Sequence, residues 1–297
     1  MIVTTPIRPV PSRFPPIGSL NIINYARKNG YGDIEFYNVD AIRPDYNDVI
    51  KHIKNAAPDI LGISAVVSTA YEYTKRLSID VKKMLPDTLI VMGGSLGASA
   101  EVLLRKTGID LCVLGEGEKV FLNILRKAEN TLNPFHFDSI PGLVLLDENG
   151  KLKNTGYGTT LKAEELYEIE WSDLLDESNL DIFFPLIDNA GDGAWTRMDP
   201  RCLEEKRQGK RHALLPGAKG CVARCTFCHR WEKGIRYIPV DIVMRRLDYV
   251  IKHFNTGYLT VADENFGTDR KWLQEFCQKI KDRDVLWRVA GMRVNCI

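Results

Sequence analysis

The first 130 residues alternate short apolar runs with amphipathic stretches, and this alternation limits the fold more than any other feature of the sequence. Such a pattern is typical of parallel strands connected by crossover helices. The clearest helical stretch, residues 73–84, keeps its apolar residues on one face and ends before Pro86. We therefore predict an α/β domain with a flavodoxin-like doubly wound parallel sheet, whose ligands bind beyond the carboxyl ends of the strands. The predicted strands are Ile2 to Thr5, Ile34 to Asn38, Ile60 to Ala65, Leu89 to Met92 and Leu111 to Leu114.

Small residues follow three of these strands, at the edge where such a sheet binds its ligands. Glycine lets a ligand approach the backbone because it has no Cβ, and nearby helix N-termini offer N–H groups. Tight strand-to-helix turns explain the same residues, and the spacing leaves both interpretations open. A proline-rich loop, residues 6–16, follows the first strand and either lines a pocket or only connects two elements. The candidate binding residues are Ser64, Gly93, Gly94, Ser95, Gly115, Glu116 and Gly117.

The periodicity weakens after residue 130 and a βα pattern returns near residue 211, which predicts two domains and a linker. Within the linker, Pro141 to Gly156 predicts a β-hairpin. The chain stops soon after a strand predicted at Leu286 to Ala290, so we expect a further C-terminal portion or a partner subunit to complete a barrel. The predicted boundaries are 1–130, 131–210 and 211–297.

Three of the seven cysteines form the motif Cys221-x3-Cys225-x2-Cys228. An odd number of cysteines argues against a disulfide framework, and three thiolates this close suit zinc or an iron–sulfur cluster. A structural zinc site needs a fourth ligand, and no second pair of cysteines or histidines follows at ligand spacing. A cluster with three protein ligands leaves one iron open to a cofactor or substrate. We interpret the scattered cysteines as small buried residues, namely Cys112, Cys202, Cys277 and Cys296.

The segment from Gly220 to Cys228 resembles the signature loop of the radical S-adenosylmethionine (SAM) enzymes. The resemblance implies a partial (β/α)6 barrel and a [4Fe-4S] cluster whose open iron binds SAM for reductive cleavage. It also implies that Phe227 lies beside the adenine, although an aromatic residue there is equally explained by packing. Asp263 and Glu264 become candidates for the methionyl amine, with a helix N-cap as the alternative interpretation. Arg293 is a candidate for the SAM carboxylate, or else a solvated arginine.

The N-terminal half resembles the cobalamin-binding domain of cobalamin-dependent radical SAM enzymes. The resemblance rests on the proline-rich loop, the segment Pro58 to Ser64, the Gly93-Gly94 pair and the segment Gly115 to Glu118, in that order. It implies cobalamin as a second cofactor. The Asp-x-His-x-x-Gly motif that supplies an axial histidine in some cobalamin domains is absent from the sequence, and His52 falls within a helix pattern.

With both cofactors, the resemblance implies methyl transfer to an unactivated carbon or a phosphinate of a small-molecule substrate. Cyclisation, oxidative rearrangement and a non-catalytic sensing module are the alternatives. The resemblance also implies an external electron donor of the flavodoxin or ferredoxin type. The formal charge of +1 gives no general attraction to nucleic acid, and no run of about 18 apolar residues predicts a membrane span. We expect a cytoplasmic protein.

Overall fold

Five parallel strands near the N-terminus form the larger part of one sheet in the computed structural model, which describes residues 1–175, 180–187, 199–226, 228 and 234–294. The strands are β1 (Ile2–Thr4), β2 (Phe36–Tyr37), β3 (Ile60–Ser64), β4 (Leu89–Gly93) and β5 (Leu111–Val113). Their order in the sheet is β2-β1-β3-β4-β5, and every neighbouring pair is parallel. This is the flavodoxin-like order, so the predicted α/β fold is confirmed.

Helices follow each of these strands, and the longer ones bury an apolar face. The helices are α1 (Ile17–Lys28), α2 (Val39–Ile42), α3 (Tyr46–Ala56), α4 (Tyr71–Met84), α5 (Ala100–Lys106) and α6 (Glu118–Ala128). In α4, Leu77 and Val81 are fully buried one turn apart, as the predicted helical face requires. The core on one side of the sheet joins α1 and α6 to the strands through residues such as Ile23 and Ile124.

A β-hairpin extends the same sheet beyond β5. Its strands are β6 (Leu143–Leu146) and β7 (Leu152–Asn154), and β6 pairs antiparallel with β5, with Leu111 opposite Leu145. The Asp147 carboxylate fixes the turn by accepting the backbone N–H of Asn149 at 3.0 Å and of Lys151 at 2.8 Å. The hairpin therefore has the predicted position in the sequence, but it completes the first sheet rather than forming part of a linker that begins at residue 131.

The described chain forms two compact units, one made of Met1–Leu161 with Tyr167–Leu174 and the other of Lys162–Leu166 with Leu175–Ile297. The late segment of the first unit is held to α1 by side chains. Arg27 donates to both carboxylate oxygens of Asp173, at 2.7 and 2.8 Å. Asn24 donates to the carbonyl of Glu168 at 2.9 Å. The first unit thus extends well past the boundary at residue 130 that the sequence periodicity predicts.

The second unit contains a parallel sheet, a separate hairpin and three α-helices among its described residues. The elements are α7 (Leu180–Phe183), β8 (Arg211–Leu215), β9 (Ala218–Cys221), β10 (Gly234–Tyr237), α8 (Val240–Phe254), β11 (Thr256–Val261), α9 (Arg270–Ile280) and β12 (Leu286–Val289). The sheet has the order β12-β11-β8, and the hairpin pairs β9 with β10. The three parallel strands lie within two residues of their predicted positions, and helices connect them as the predicted βα pattern requires.

The ends of α8 and α9 follow from local residue chemistry. Pro239 precedes α8, and Asn255 ends it in the left-handed conformation with φ of 51°. Asp269 caps α9, because its carboxylate accepts the N–H groups of Lys271 and Trp272. Nowhere in the described ranges does a helix combine the length and apolar character that crossing a bilayer requires.

Candidate functional site

The proline-rich loop after β1 is fixed by Asp40, a residue that sequence reasoning missed. The Asp40 carboxylate accepts the N–H groups of Ile7 and Ser12, each at 3.3 Å, and it contacts the Arg43 guanidinium at 2.6 Å. Arg43 also donates to the Val10 carbonyl at 2.8 Å. The loop is therefore an organised wall at the carboxyl edge of the sheet. The available signal was an acid and a base placed just after the second strand.

Exposed apolar side chains lie on the loops that follow the neighbouring strands β1 and β3. Val10 is 64% exposed and Phe14 56% on the first loop, and Val66 is 53% exposed on the second. Thr69 joins the two loops by donating to the Ile7 carbonyl at 2.8 Å. Apolar surface at a strand-end edge suits the flat face of a large ring such as a corrin.

The two glycines at the end of β4 make a close backbone contact with Ala65, which follows β3. Gly94 has φ of 89°, and a Cβ on it would lie 2.4 Å from the Ala65 carbonyl oxygen. The Ala65 N–H donates to the Gly93 carbonyl at 3.1 Å, while Ser95 is exposed at the start of the next turn. Ser64 is half-buried, at the end of β3. The tight-turn interpretation accounts for Gly94, and the exposed Ser95 remains accessible to a ligand.

The segment after β5 uses its acidic residues for internal contacts. Glu116 is buried and accepts the Leu161 N–H at 2.9 Å. Glu118 is buried as well and accepts from the Asn21 side chain at 2.7 Å. A Cβ on Gly117 would lie 2.8 Å from Ile22 of α1, so this position requires close helix packing. The segment therefore holds α1 and the backbone at Leu161 in place. Gly115, with φ of 75°, makes the turn that precedes these acidic residues.

The three cysteines of the motif lie on the connection between β9 and β10. Cys221 ends β9 opposite Gly234 and is half-buried, whereas Cys225 and Cys228 are exposed. The Ala223 N–H donates to the Cys221 sulfur at 3.4 Å. The Cys228 N–H donates to the Cys225 carbonyl at 3.2 Å, so the two exposed residues share one turn.

The donor chemistry of this loop fits a cluster with three thiolate ligands. None of the described cysteines is in a disulfide, and the loop presents its thiols at or near the surface. Within the described ranges no three Cys, His, Asp or Glu residues already form a metal-holding group. Phe227, the predicted adenine neighbour, lies outside the described residues, as do residues 229–233. The three thiols thus lie on one loop, but among the described residues they do not converge on a common point.

The acidic residues after β11 have different environments. Asp263 is only 3% exposed, and one of its oxygens accepts the N–H groups of Gly217 at 2.7 Å and Ala218 at 2.9 Å. Its other oxygen has no hydrogen-bond partner in the described part of the chain. Burial raises the pKa of Asp263 to about 6, against the lowering effect of the two backbone N–H groups. Glu264 and Arg293 are exposed.

Neither Asp263 nor Glu264 is the helix cap that the alternative interpretation assigns to them, because Asp269 caps α9. The scattered Cys112 and Cys202 are buried as predicted, and burial raises the pKa of Cys112 to about 12. Cys277 is half-buried, and Cys296 lies outside the described residues.

A polar group within the second sheet was also missed. His212 of β8 contacts the Thr260 hydroxyl of β11 at 2.8 Å and packs edge-on against Tyr258. Thr260 lies opposite Arg288 of β12, so the three polar side chains share one face of the sheet. Burial first, and the Arg288 charge second, lower the pKa of His212 to about 4. Strand alternation could have revealed this group, since a histidine, a threonine and an arginine occupy matching positions.

Comparison with known proteins agrees with this architecture. Residues 4–125 match the B12-binding domain family. The chain is 26% identical to the anaerobic magnesium-protoporphyrin IX monomethyl ester cyclase of Rubrivivax gelatinosus over 288 residues, which cover 94% of this chain and 47% of the cyclase. The chain thus spans about half the length of this curated relative.

Two solved structures share the fold. The cobalamin-dependent SAM radical enzyme OxsB, with aqua-cobalamin and SAM bound, matches with a TM-score of 0.69 at 21% identity, over 97% of this chain and 37% of that one. The radical SAM methyltransferase TsrM from Kitasatospora setae, with cobalamin and a [4Fe-4S] cluster bound, matches with a TM-score of 0.62 at 15% identity, over 95% and 51%.

Residues 4–125 thus match the B12-binding domain family, and the chain shares the fold of the two solved enzymes. The predicted resemblance to the cobalamin-binding radical SAM enzymes is therefore confirmed, and the relatives include both a cyclase and a methyltransferase.

Proposed function

We propose that this chain provides the cofactor-binding part of a cobalamin-dependent radical SAM enzyme. The observation that carries the proposal is the joint presence, in one chain, of a B12-binding domain and a loop with three thiols beyond a parallel sheet. In this proposal Cys221, Cys225 and Cys228 hold a [4Fe-4S] cluster. When bound, the cluster, SAM and cobalamin together supply a 5′-deoxyadenosyl radical and a transferable methyl group.

The residues around the cluster loop bind and orient SAM in this proposal. Glu264 is exposed and accepts hydrogen bonds from the methionyl ammonium, while the exposed Arg293 pairs with the carboxylate. Phe227, which lies outside the described residues, remains the proposed adenine neighbour. At the edge of the first sheet, the loops after the strands support cobalamin through Ser64, Gly93, Gly94, Ser95, Gly115, Glu116 and Gly117. Among these, Glu116 acts by holding the loop at Leu161, because its carboxylate is engaged there.

Methyl transfer to a carbon or phosphinate of a small-molecule substrate is the first candidate reaction, in keeping with the methyltransferase among the structural neighbours. Oxidative ring formation is the second candidate, because the chain is 26% identical to a cyclase. Both need a single-electron reductant, for which we propose an external flavodoxin or ferredoxin. A reducing cytoplasm suits the accessible thiols of the loop.

Anaerobic reconstitution with iron and sulfide, with and without hydroxocobalamin, tests the two cofactors together. We expect about four irons per chain, a visible spectrum of a [4Fe-4S] cluster and a separate retained corrin spectrum. Cys225→Ala should remove the cluster spectrum and leave the corrin spectrum unchanged. Wild-type protein that takes up neither cofactor would refute the proposal.

Reduction of the reconstituted chain in the presence of SAM separates an enzyme from a sensing module. Enzyme chemistry predicts release of 5′-deoxyadenosine, and methyl-labelled SAM then distinguishes a methylated product from a cyclised one. A cluster that binds SAM but never cleaves it would favour the sensing module.

A further inference from the structure

We propose that Asp263 is a positioning residue that fixes the backbone from which the cysteine loop starts, rather than a ligand of SAM. The inference rests on the proposed function, because it assigns the loop to a cluster. It follows from the contacts of Asp263 with Gly217, which precedes β9, and with Ala218, which begins it; β9 ends at Cys221.

Parallel pairing of β8 with β11 brings the two segments together. Val261 lies opposite Leu215, and the Ala262 N–H donates to the Leu215 carbonyl at 3.0 Å. Asp263 follows one strand at the level where Gly217 follows the other. A single carboxylate oxygen then accepts two consecutive N–H groups, which are charge-assisted hydrogen bonds in a buried place.

Gly217 is held from its other side as well. Its carbonyl accepts the Ile238 N–H at 2.9 Å, and the Ile238 carbonyl accepts the Trp272 indole N–H at 2.6 Å. A Cβ on Gly217 would lie 2.9 Å from Trp272 and 3.1 Å from the second Asp263 oxygen. The start of β9 and the end of β10 are therefore fixed close together, and the cysteine loop connects the other ends of these two strands.

Hydrogen exchange of the protein without a cluster measures this positioning directly. We expect Asp263→Ala to lose protection at the Gly217 and Ala218 amides, while Asp263→Asn, which keeps a carbonyl oxygen at the accepting position, retains it. The matched control is Asp282→Ala, which alters an exposed aspartate of the same unit. Full protection in Asp263→Ala would overturn the inference.

The reconstituted protein gives the second readout. Asp263→Ala should retain about tenfold less cluster under a chelator challenge, the size of effect known for outer-shell partners, and its reduced EPR spectrum without SAM should change. Asp263→Asn should match wild type in both measurements and in SAM affinity. If Asp263→Asn keeps the cluster but loses SAM affinity tenfold or more, the carboxylate belongs to SAM and the positioning role is overturned.

Two outcomes distinguish a failure of this inference from a failure of the proposed function. If Asp263→Ala does not fold, Asp263→Asn decides alone: wild-type amide protection, iron content and EPR spectrum support the inference, and loss of any of them overturns it. If wild-type protein takes up no cluster although its two amides are protected, the proposed function fails, and Asp263 is left without a cluster loop to position.

Discussion

Asp40 illustrates how one side chain can organise a loop of this protein. We expect Asp40→Ala to lower the free energy of unfolding by about 2 kcal/mol, because it leaves the N–H groups of Ile7 and Ser12 and the Arg43 charge without their partner. Urea unfolding measures this, and limited trypsin digestion after Arg13 should accelerate. The control is Asp33→Ala, at an exposed aspartate of the same unit.

The same variant addresses the cobalamin site. If the loop after β1 forms a wall of that site, hydroxocobalamin should bind Asp40→Ala more weakly than it binds wild type. Unchanged affinity together with rapid loop cleavage would show that the loop lies apart from the corrin.

Gly94 is constrained in two ways that a pair of variants can separate. Gly94→Ala places a methyl group 2.4 Å from a backbone oxygen and also imposes a positive φ on alanine, so we expect a loss of about 3 kcal/mol or more. Gly30 shares the positive φ, at 97°, but a Cβ there meets nothing within 4 Å. Gly30→Ala should cost only about 1 kcal/mol. Equal losses in urea unfolding would contradict a role for the close contact.

At the scale of the elements, the polar face of the second sheet should make stability depend on pH. His212 has a folded pKa of about 4, whereas an unfolded histidine titrates near 6.5. The unfolded chain therefore binds more protons between these values, and stability falls as the pH is lowered through this window. Relative to His212→Gln, wild type should lose about 2 kcal/mol between pH 7 and pH 4.5.

Urea unfolding of both proteins at the two pH values measures this difference. The matched control is His253→Gln, which alters an exposed histidine of α8. The free energy of unfolding of this variant should differ from that of wild type by the same amount at both pH values. A wild-type minus His212→Gln difference that is the same at both pH values would contradict the buried, neutral state of His212.

The eight parallel strands of the two sheets could be predicted to within about two residues, because apolar runs bounded by turn residues are a local signal. The pairing of the hairpin with β5 could not, since a hairpin signal says nothing about which edge it joins. The cysteine loop was likewise evident from spacing alone. The roles of Asp263 and Glu116 were not, because both depend on backbone N–H groups that lie 45 or more residues away.

At the scale of the molecule, the hairpin and the segment that ends at Leu174 determine where the first unit can be cut. We expect a fragment of residues 1–175 to be monomeric and folded, as measured by light scattering and circular dichroism. A fragment of residues 1–130 should aggregate, because it exposes the edge of β5 that β6 covers. A fragment of residues 1–162 should be folded but less stable, because it lacks the Asp173 partner of Arg27. A stable 1–130 monomer would contradict this reasoning.

The short outer strands of the first sheet have a consequence for self-association. On one side β2 has two residues, and on the other β7 ends in Lys153 and Asn154, with Lys153 bound to Asp138 at 2.5 Å. Neither side offers a long apolar ribbon for another copy to extend. Even at high concentration, this unit should therefore not form fibres in which the sheet of one copy continues into the sheet of the next.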